Sequence, residues 1–131
     1  MRHFITKIML LASISTFFSA NSLAAEIKPI LIKQLSELNK EQEFSIVTIA
    51  YEPGEASPAH RHYAHTFVYV ISGSIVMQVE GGEEVIVKAG ETFYETPDDI
   101  HIVSGNASET EPASFLVMYL KPPGVSSVLV E

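Results

Sequence analysis

The sequence predicts an all-β domain, a sandwich or a barrel, behind an N-terminal segment that is not part of it. Three observations point that way. From residue 44 onward, short runs of β-branched and aromatic residues follow one another closely. Turn formers separate most of them: Pro53-Gly54, Gly73, Gly81-Gly82, Ala89-Gly90, Thr96-Pro97-Asp98-Asp99 and Gly105-Asn106. No internal repeat, low-complexity tract or second domain interrupts the pattern.

The segment comes first. Arg2 and Lys7 make a basic start, residues 8–18 are almost unbroken apolar sequence, and Ser22-Leu23-Ala24 supplies small residues at the spacing of a cleavage site. These are the three regions of a secretory signal peptide. Residues 1–24 are therefore expected to be removed, with Ala25 as the near alternative, leaving 25–131 as one domain. The apolar run falls well short of the ~20 residues that a spanning helix needs. The product is expected to be periplasmic or secreted, with no stable membrane insertion after cleavage. The chain has no cysteine, so neither a disulfide nor a lipid on an N-terminal cysteine is available. Stability must come from burial, a metal or a partner subunit. The formal net charge of −8 becomes more negative without Arg2 and Lys7, which excludes a basic nucleic-acid footprint.

Along the domain, Ile30, Leu31 and Ile32 suggest an edge strand, while Leu35 and Leu38 fit a helical turn. Strands are expected at 44–51, 66–72, 74–80, 84–88, 92–95, 100–104 and 114–120. Gly73, alone between two apolar runs, fits a tight turn. Gly81-Gly82 fits a hairpin tip. A last edge strand is expected at 125–130, after Pro122-Pro123-Gly124. Either edge, 30–32 or 125–130, could supply a contact between two copies, and a homodimer would help so short a domain bury more surface.

The chemistry lies in AHRHYAHTFVYVISG, residues 59–73, where three of the five histidines fall close together. On a strand, His60 and His62 project from one face, and two imidazoles side by side can grip one ion. The Glu52-Pro53-Gly54 turn and Pro58 stiffen the approach. A third ligand must come from His65, which is local, or from His101, at the start of another strand. A solvated histidine pair, or a tract that chelates loosely, would read the same way from spacing alone.

The wider spacing resembles the two motifs of the cupin family. Gly54 precedes His60, Arg61 and His62 at the interval of G-x5-H-x-H-x3-4-E-x6-G, and Tyr69, Val70 and Gly73 fall in register. Gly90, Pro97 and His101 approximate the second motif, G-x5-P-x-G-x2-H-x3-N. The resemblance covers about 44–120. It implies a double-stranded β-helix, a jelly-roll barrel, in which His60, His62 and His101 bind one divalent metal inside the barrel.

The sequence departs from that pattern at several positions. The first motif's glutamate would stand at 66, where this chain has Thr66, and no acidic residue lies between Glu55 and Glu80. Three readings follow: a three-histidine site with water at its open positions, His65 in place of the glutamate, or an empty barrel. The first is favoured, because some family members work with three histidines. Three neutral imidazoles leave the full charge on the ion and acidify bound water more strongly. They suit iron, zinc, nickel or copper, and manganese also occurs in the family. Thr66 could hold a water through its hydroxyl. In the second motif Thr96 and Asp98 replace proline and glycine, and Gly105 stands where asparagine is expected, with Asn106 next. Asp98 and Asp99 read as turn residues.

Val68 and Val70 share Thr66's face and should line the barrel. Val76 and Gln78 share a face on the following strand, which makes Gln78 a candidate pocket contact if that face is inward. Tyr51, Tyr69, Phe93, Phe115 and Tyr119 read as core. A cysteine nucleophile, a G-x-S-x-G elbow, a phosphate-cradling loop and an H-E-x-x-H helix are all missing from the sequence. Two functions follow. One is an exported metal-dependent enzyme, dioxygenase-like, acting on a small organic molecule. The other is a barrel that binds metal or a small ligand without catalysis.

Overall fold

The computed structural model describes residues 28–32, 41–126 and 129–130. The expected signal segment and the turn around Leu35 and Leu38 lie outside them. The described residues form ten strands and no helix: β1 (Glu43–Tyr51), β2 (Ala56–Ser57), β3 (His60–Arg61), β4 (His65–Ser72), β5 (Ser74–Val79), β6 (Val85–Lys88), β7 (Thr92–Glu95), β8 (Ile100–Asn106), β9 (Ala113–Lys121) and β10 (Leu129–Val130). One sheet runs β1-β9-β4-β7, the other β10-β3-β8-β5-β6, with β2 also on β8. The fold is an all-β double-stranded β-helix.

Alternation builds the two faces. In β4, Thr66, Val68 and Val70 are buried while His65, Phe67 and Tyr69 are half-buried on the other side. In β9, Ala113, Phe115, Val117, Tyr119 and Lys121 are the buried set. The second sheet contributes Ile75 and Met77 from β5 and Val87 from β6. These side chains meet in one core between the sheets. Each fully buried aliphatic side chain stabilises by about 1.5–3 kcal/mol.

The chain passes from the first sheet to the second at Gly73, which has φ +71°. A Cβ there would lie 2.5 Å from the Pro112 carbonyl oxygen and 2.9 Å from Ala113 Cα, so only glycine fits. Gly81-Gly82 closes the β5–β6 hairpin, with Gly82 N–H donating to the Val79 carbonyl at 3.0 Å.

Two edges differ from expectation. Residues 30–32 form no strand; Ile30 and Leu31 line a groove on the outside of the four-stranded sheet, with Phe67, Tyr69, Leu116 and Met118. An apolar triplet needs a ladder partner to become a strand, and the edge strand β1 pairs with β9 alone. At the other end, Val125 and Ser126 form no strand, and Leu129 and Val130 pair with β3. Leu129 and Val130 stand opposite Arg61 and His60, so the tail braces the strand that carries His60.

Candidate metal centre

The ladder between β3 and β8 places His60 directly opposite His101. Their ring centroids are 5.1 Å apart. His62 follows β3, and its ring meets His60 edge-on at 4.7 Å. The two Nε2 atoms are 3.2 Å apart. Immediately after His62 the backbone turns through Tyr63 at φ +46°, a left-handed conformation that costs on the order of 1 kcal/mol or more for a bulky residue. The Arg61 guanidinium lies 5.2 Å from the Tyr63 ring centroid, a cation–π contact.

All three imidazoles are buried, His101 almost wholly. One ligating nitrogen from each lies within 4.8 Å of the others. His60 Nδ1 donates to the Pro58 carbonyl at 2.8 Å, which makes its Nε2 the lone-pair nitrogen, here accepting from His62 Nε2 at 3.2 Å and able to turn to an ion instead. Burial holds the His101 pKa down at about 4, with the neighbouring His60 and His62 adding to the effect. His101 is therefore neutral at physiological pH, the form that binds metal.

The expected chemistry gains a group from β7. Glu95 is buried, with Oε1 3.4 Å from His101 Nδ1 and Oε2 3.9 Å from His62 Nε2. Burial first, and the Asp99 charge second, push its pKa up to about 8. Three buried atoms have no hydrogen-bond partner among the described residues: Glu95 Oε1 and both ring nitrogens of His101. Unsatisfied buried polar atoms are costly. One ring can give only one of its nitrogens to an ion, so what is left unsatisfied side by side is one imidazole donor, His101 Nδ1, and one carboxylate oxygen 3.4 Å away, both donor types that a divalent metal takes. The residues present fit such an ion.

These groups sit in a cavity of about 160 Å³ between the sheets. Its other walls are mainly apolar, from Ile49, Val68, Met77, Phe115 and Val117. A small polar strip completes it: Tyr51 Oη lies 2.6 Å from Ser57 Oγ and 3.0 Å from Ser104 Oγ. Tyr119 also lines the cavity, its ring 5.0 Å from that of His62. Burial, then Glu95 and Tyr51, raise its pKa to about 12, so it stays a hydroxyl donor.

The histidines expected to meet, His60, His62 and His101, form one cluster. Thr66 and Val68 line the cavity, and Val70 is buried in the core. His65 stands apart. Its Nδ1 is 2.7 Å from Tyr94 Oη and its ring stacks on Tyr94, on the side of β4 opposite Thr66. Gln78 does not line the cavity. Its Nε2 donates to the Gly82 carbonyl at 2.9 Å, bracing the hairpin, and it is Met77 that faces inward from β5. Asp99 Oδ2 accepts from Thr96 N–H at 2.6 Å and so closes its own turn.

Sequence reasoning passed over Glu95. The available signal was the alternation in Thr92-Phe93-Tyr94-Glu95, which puts Glu95 on one face with Phe93 and apart from Tyr94. The register that sets it against the histidines is long-range.

A family model of the cupin domain matches residues 47–119. No curated protein matches the chain. Among solved structures, a double-stranded β-helix protein from Klebsiella pneumoniae is 26% identical, with TM-score 0.56 over 67% of this chain and 75% of that one. An oxalate oxidase bound to the substrate analogue glycolate is 25% identical, with TM-score 0.54 over 64% of this chain and 45% of that one. The DMSP lyase DddQ of Ruegeria pomeroyi shares the fold at 15% identity, with TM-score 0.58 over 66% of this chain and 42% of that one. The chain thus spans less than half the length of both enzymes.

Proposed function

The chain belongs to the cupin family, and from that premise we propose that it is an exported cupin that binds one divalent metal through His60, His62 and His101 and works as a metal-dependent, dioxygenase-like enzyme on a small organic molecule. The observation that carries the reading is the meeting of three buried imidazoles at the wall of an apolar cavity. Oxalate oxidase, among the similar structures, supports a small oxidisable substrate by analogy. Export rests on the basic start, apolar run and small-residue site of residues 1–24.

When bound, the ion would act as a Lewis acid and bring substrate and dioxygen together. The protein's own residues do the rest. Pro58 fixes the tautomer of His60 through its carbonyl. Ile49, Met77, Phe115 and Val117 exclude water and select an apolar body. The Tyr51, Ser57 and Ser104 hydroxyls offer hydrogen bonds to a polar end. Tyr119 holds its proton at Oη as a further donor near His62.

Elemental analysis of protein purified without a histidine tag tests the metal. About one divalent ion per chain is expected, and His60→Ala should lose it. Absence of metal in the wild-type protein, even after loading, would overturn the reading. Oxygen uptake by the iron-loaded protein against a panel of phenols and diketones tests the chemistry. Stoichiometric metal without uptake of oxygen would favour the alternative, a barrel that binds without catalysis. Sequencing the N-terminus of the exported product tests cleavage after Ala24.

A further inference from the structure

We propose that Glu95 is the carboxylate ligand of this metal centre, reaching the ion from β7 in place of the side chain that Thr66 of β4 cannot supply. The inference rests on the three-histidine reading above and adds a fourth protein donor to it.

Register is the first ground. Thr66 and Glu95 are directly opposed in the β4–β7 ladder. Opposed residues on one face have Cβ atoms about 5 Å apart, so a glutamate can serve nearly the same point from either strand. Thr66 occupies the sequence position where the first motif carries its glutamate, and it is fully buried with a short side chain. Its hydroxyl donates only at 3.4 Å, to the Ala64 carbonyl. Thr66 and Glu95 line the same cavity.

Donor spacing is the second ground. Ligands held ~2.1 Å from one ion cannot be more than about 4.2 Å apart. Glu95 Oε2 is 3.9 Å from His62 Nε2, and Oε1 is 3.4 Å from His101 Nδ1, so each oxygen lies within that span of one histidine, and rotation about the Glu95 side-chain bonds is what would carry one oxygen to the point the three imidazoles share. Oε1 has no hydrogen-bond partner among the described residues, although it is buried. His65, the other local substitute for the motif's glutamate, is engaged with Tyr94 on the opposite side of β4. A carboxylate in the donor set cancels one unit of the ion's charge, so the centre would hold its ion more tightly and pull less on anionic substrates.

Cobalt(II) is the probe, because the intensity and position of its visible absorption report the number and kind of donors. The full chain after export, stripped with chelator and reloaded, is compared with Glu95→Gln, which keeps shape and removes the anion. Circular dichroism of the metal-free forms checks that both are folded. Glu95→Gln is expected to change the cobalt spectrum and weaken binding at least about tenfold. The exchange variant Thr66→Glu/Glu95→Thr, which moves the carboxylate back across the ladder, should restore the wild-type spectrum. An unchanged spectrum in Glu95→Gln overturns the proposal, whatever happens to affinity, since a carboxylate that only orients His101 would alter binding without altering the donors. Wild-type protein that binds cobalt while Glu95→Gln is indistinguishable sinks Glu95 alone; wild-type protein that binds no cobalt sinks the metal centre as well.

Discussion

Glu95 and His101 are displaced in opposite senses by one environment. Burial disfavours charge on both, so the carboxyl holds its proton up to about pH 8 and the imidazole refuses one down to about pH 4. The consequences for the metal-free protein follow by linkage. Glu95 in the unfolded chain gives up its proton near 4.5, earlier than in the native state. Its contribution to stability is complete below that value and is lost as pH rises toward 8. His101 in the unfolded chain takes up a proton near 6.5, earlier than in the native state. Its contribution is complete above 6.5 and is lost as pH falls toward 4. Chelator-treated protein should therefore lose thermal stability between pH 6.5 and 8, and Glu95→Gln should flatten that limb. A wild-type midpoint that rises over the same interval would contradict the assignment. His60, His62 and His101 were legible as candidates from spacing and motif alone. Glu95 was not: local alternation puts it on the face of Phe93, but only the pairing of β4 with β7 turns that face toward the histidines.

Two connections hold the elements in place. The first is Gly73, between sheets, where a Cβ would strike the Pro112 carbonyl. Gly73→Ala should cost about 1–3 kcal/mol in denaturant unfolding, because it combines a left-handed φ with a backbone clash. The second is Asn106, at the end of β8. Its amide donates to Glu52 and Glu111 carbonyls at 3.0 and 2.8 Å, and its carbonyl accepts from Ser108 N–H at 2.9 Å. It ties the turn after β1 to the loop before β9. Asn106→Ala should destabilise by about 2–3 kcal/mol, since it strips partners from several backbone groups. The same measurement on Gln78→Ala should show far less, as its one bond braces an exposed hairpin. At this scale the sequence was informative where alternation was long: strands near 44–51, 66–72 and 114–120 match β1, β4 and β9 closely. It was uninformative for β2 and set no bounds for β3, which are two residues each, whereas the edge strand expected at 125–130 contains β10. Such strands have no period to read, and they exist only because β8 or β3 offers a free edge. The triplet at 30–32 erred the other way: Ile30 and Leu31 line a groove rather than a ladder, and Ile32 is exposed.

The whole molecule is a small barrel that devotes part of its interior to polar groups. Its core is a modest set of aliphatic and aromatic side chains, while His60, His62, His101, Glu95 and Thr66 share the buried space. No disulfide can offset this, since the chain has no cysteine. Metal-free protein should therefore be only marginally stable, with the orphaned atoms of Glu95 and His101 as a standing penalty. An ion that binds only the native state removes that penalty and adds linkage free energy, about 2.7 kcal/mol at one hundred times its dissociation constant. For a domain of this size, each kcal/mol moves the midpoint by about 4–8 °C. Loading zinc or cobalt onto the chelator-treated protein should thus raise its thermal midpoint by on the order of 10 °C, and His101→Ala should abolish the shift. The control is Glu43→Gln, which removes the negative charge paired at 2.6 Å with Lys121, on the edge strand β1 and outside the cavity. It should lower both midpoints equally and leave their difference intact. A metal-loaded midpoint equal to the metal-free one would mean that the three imidazoles are structural side chains that close the barrel without an ion.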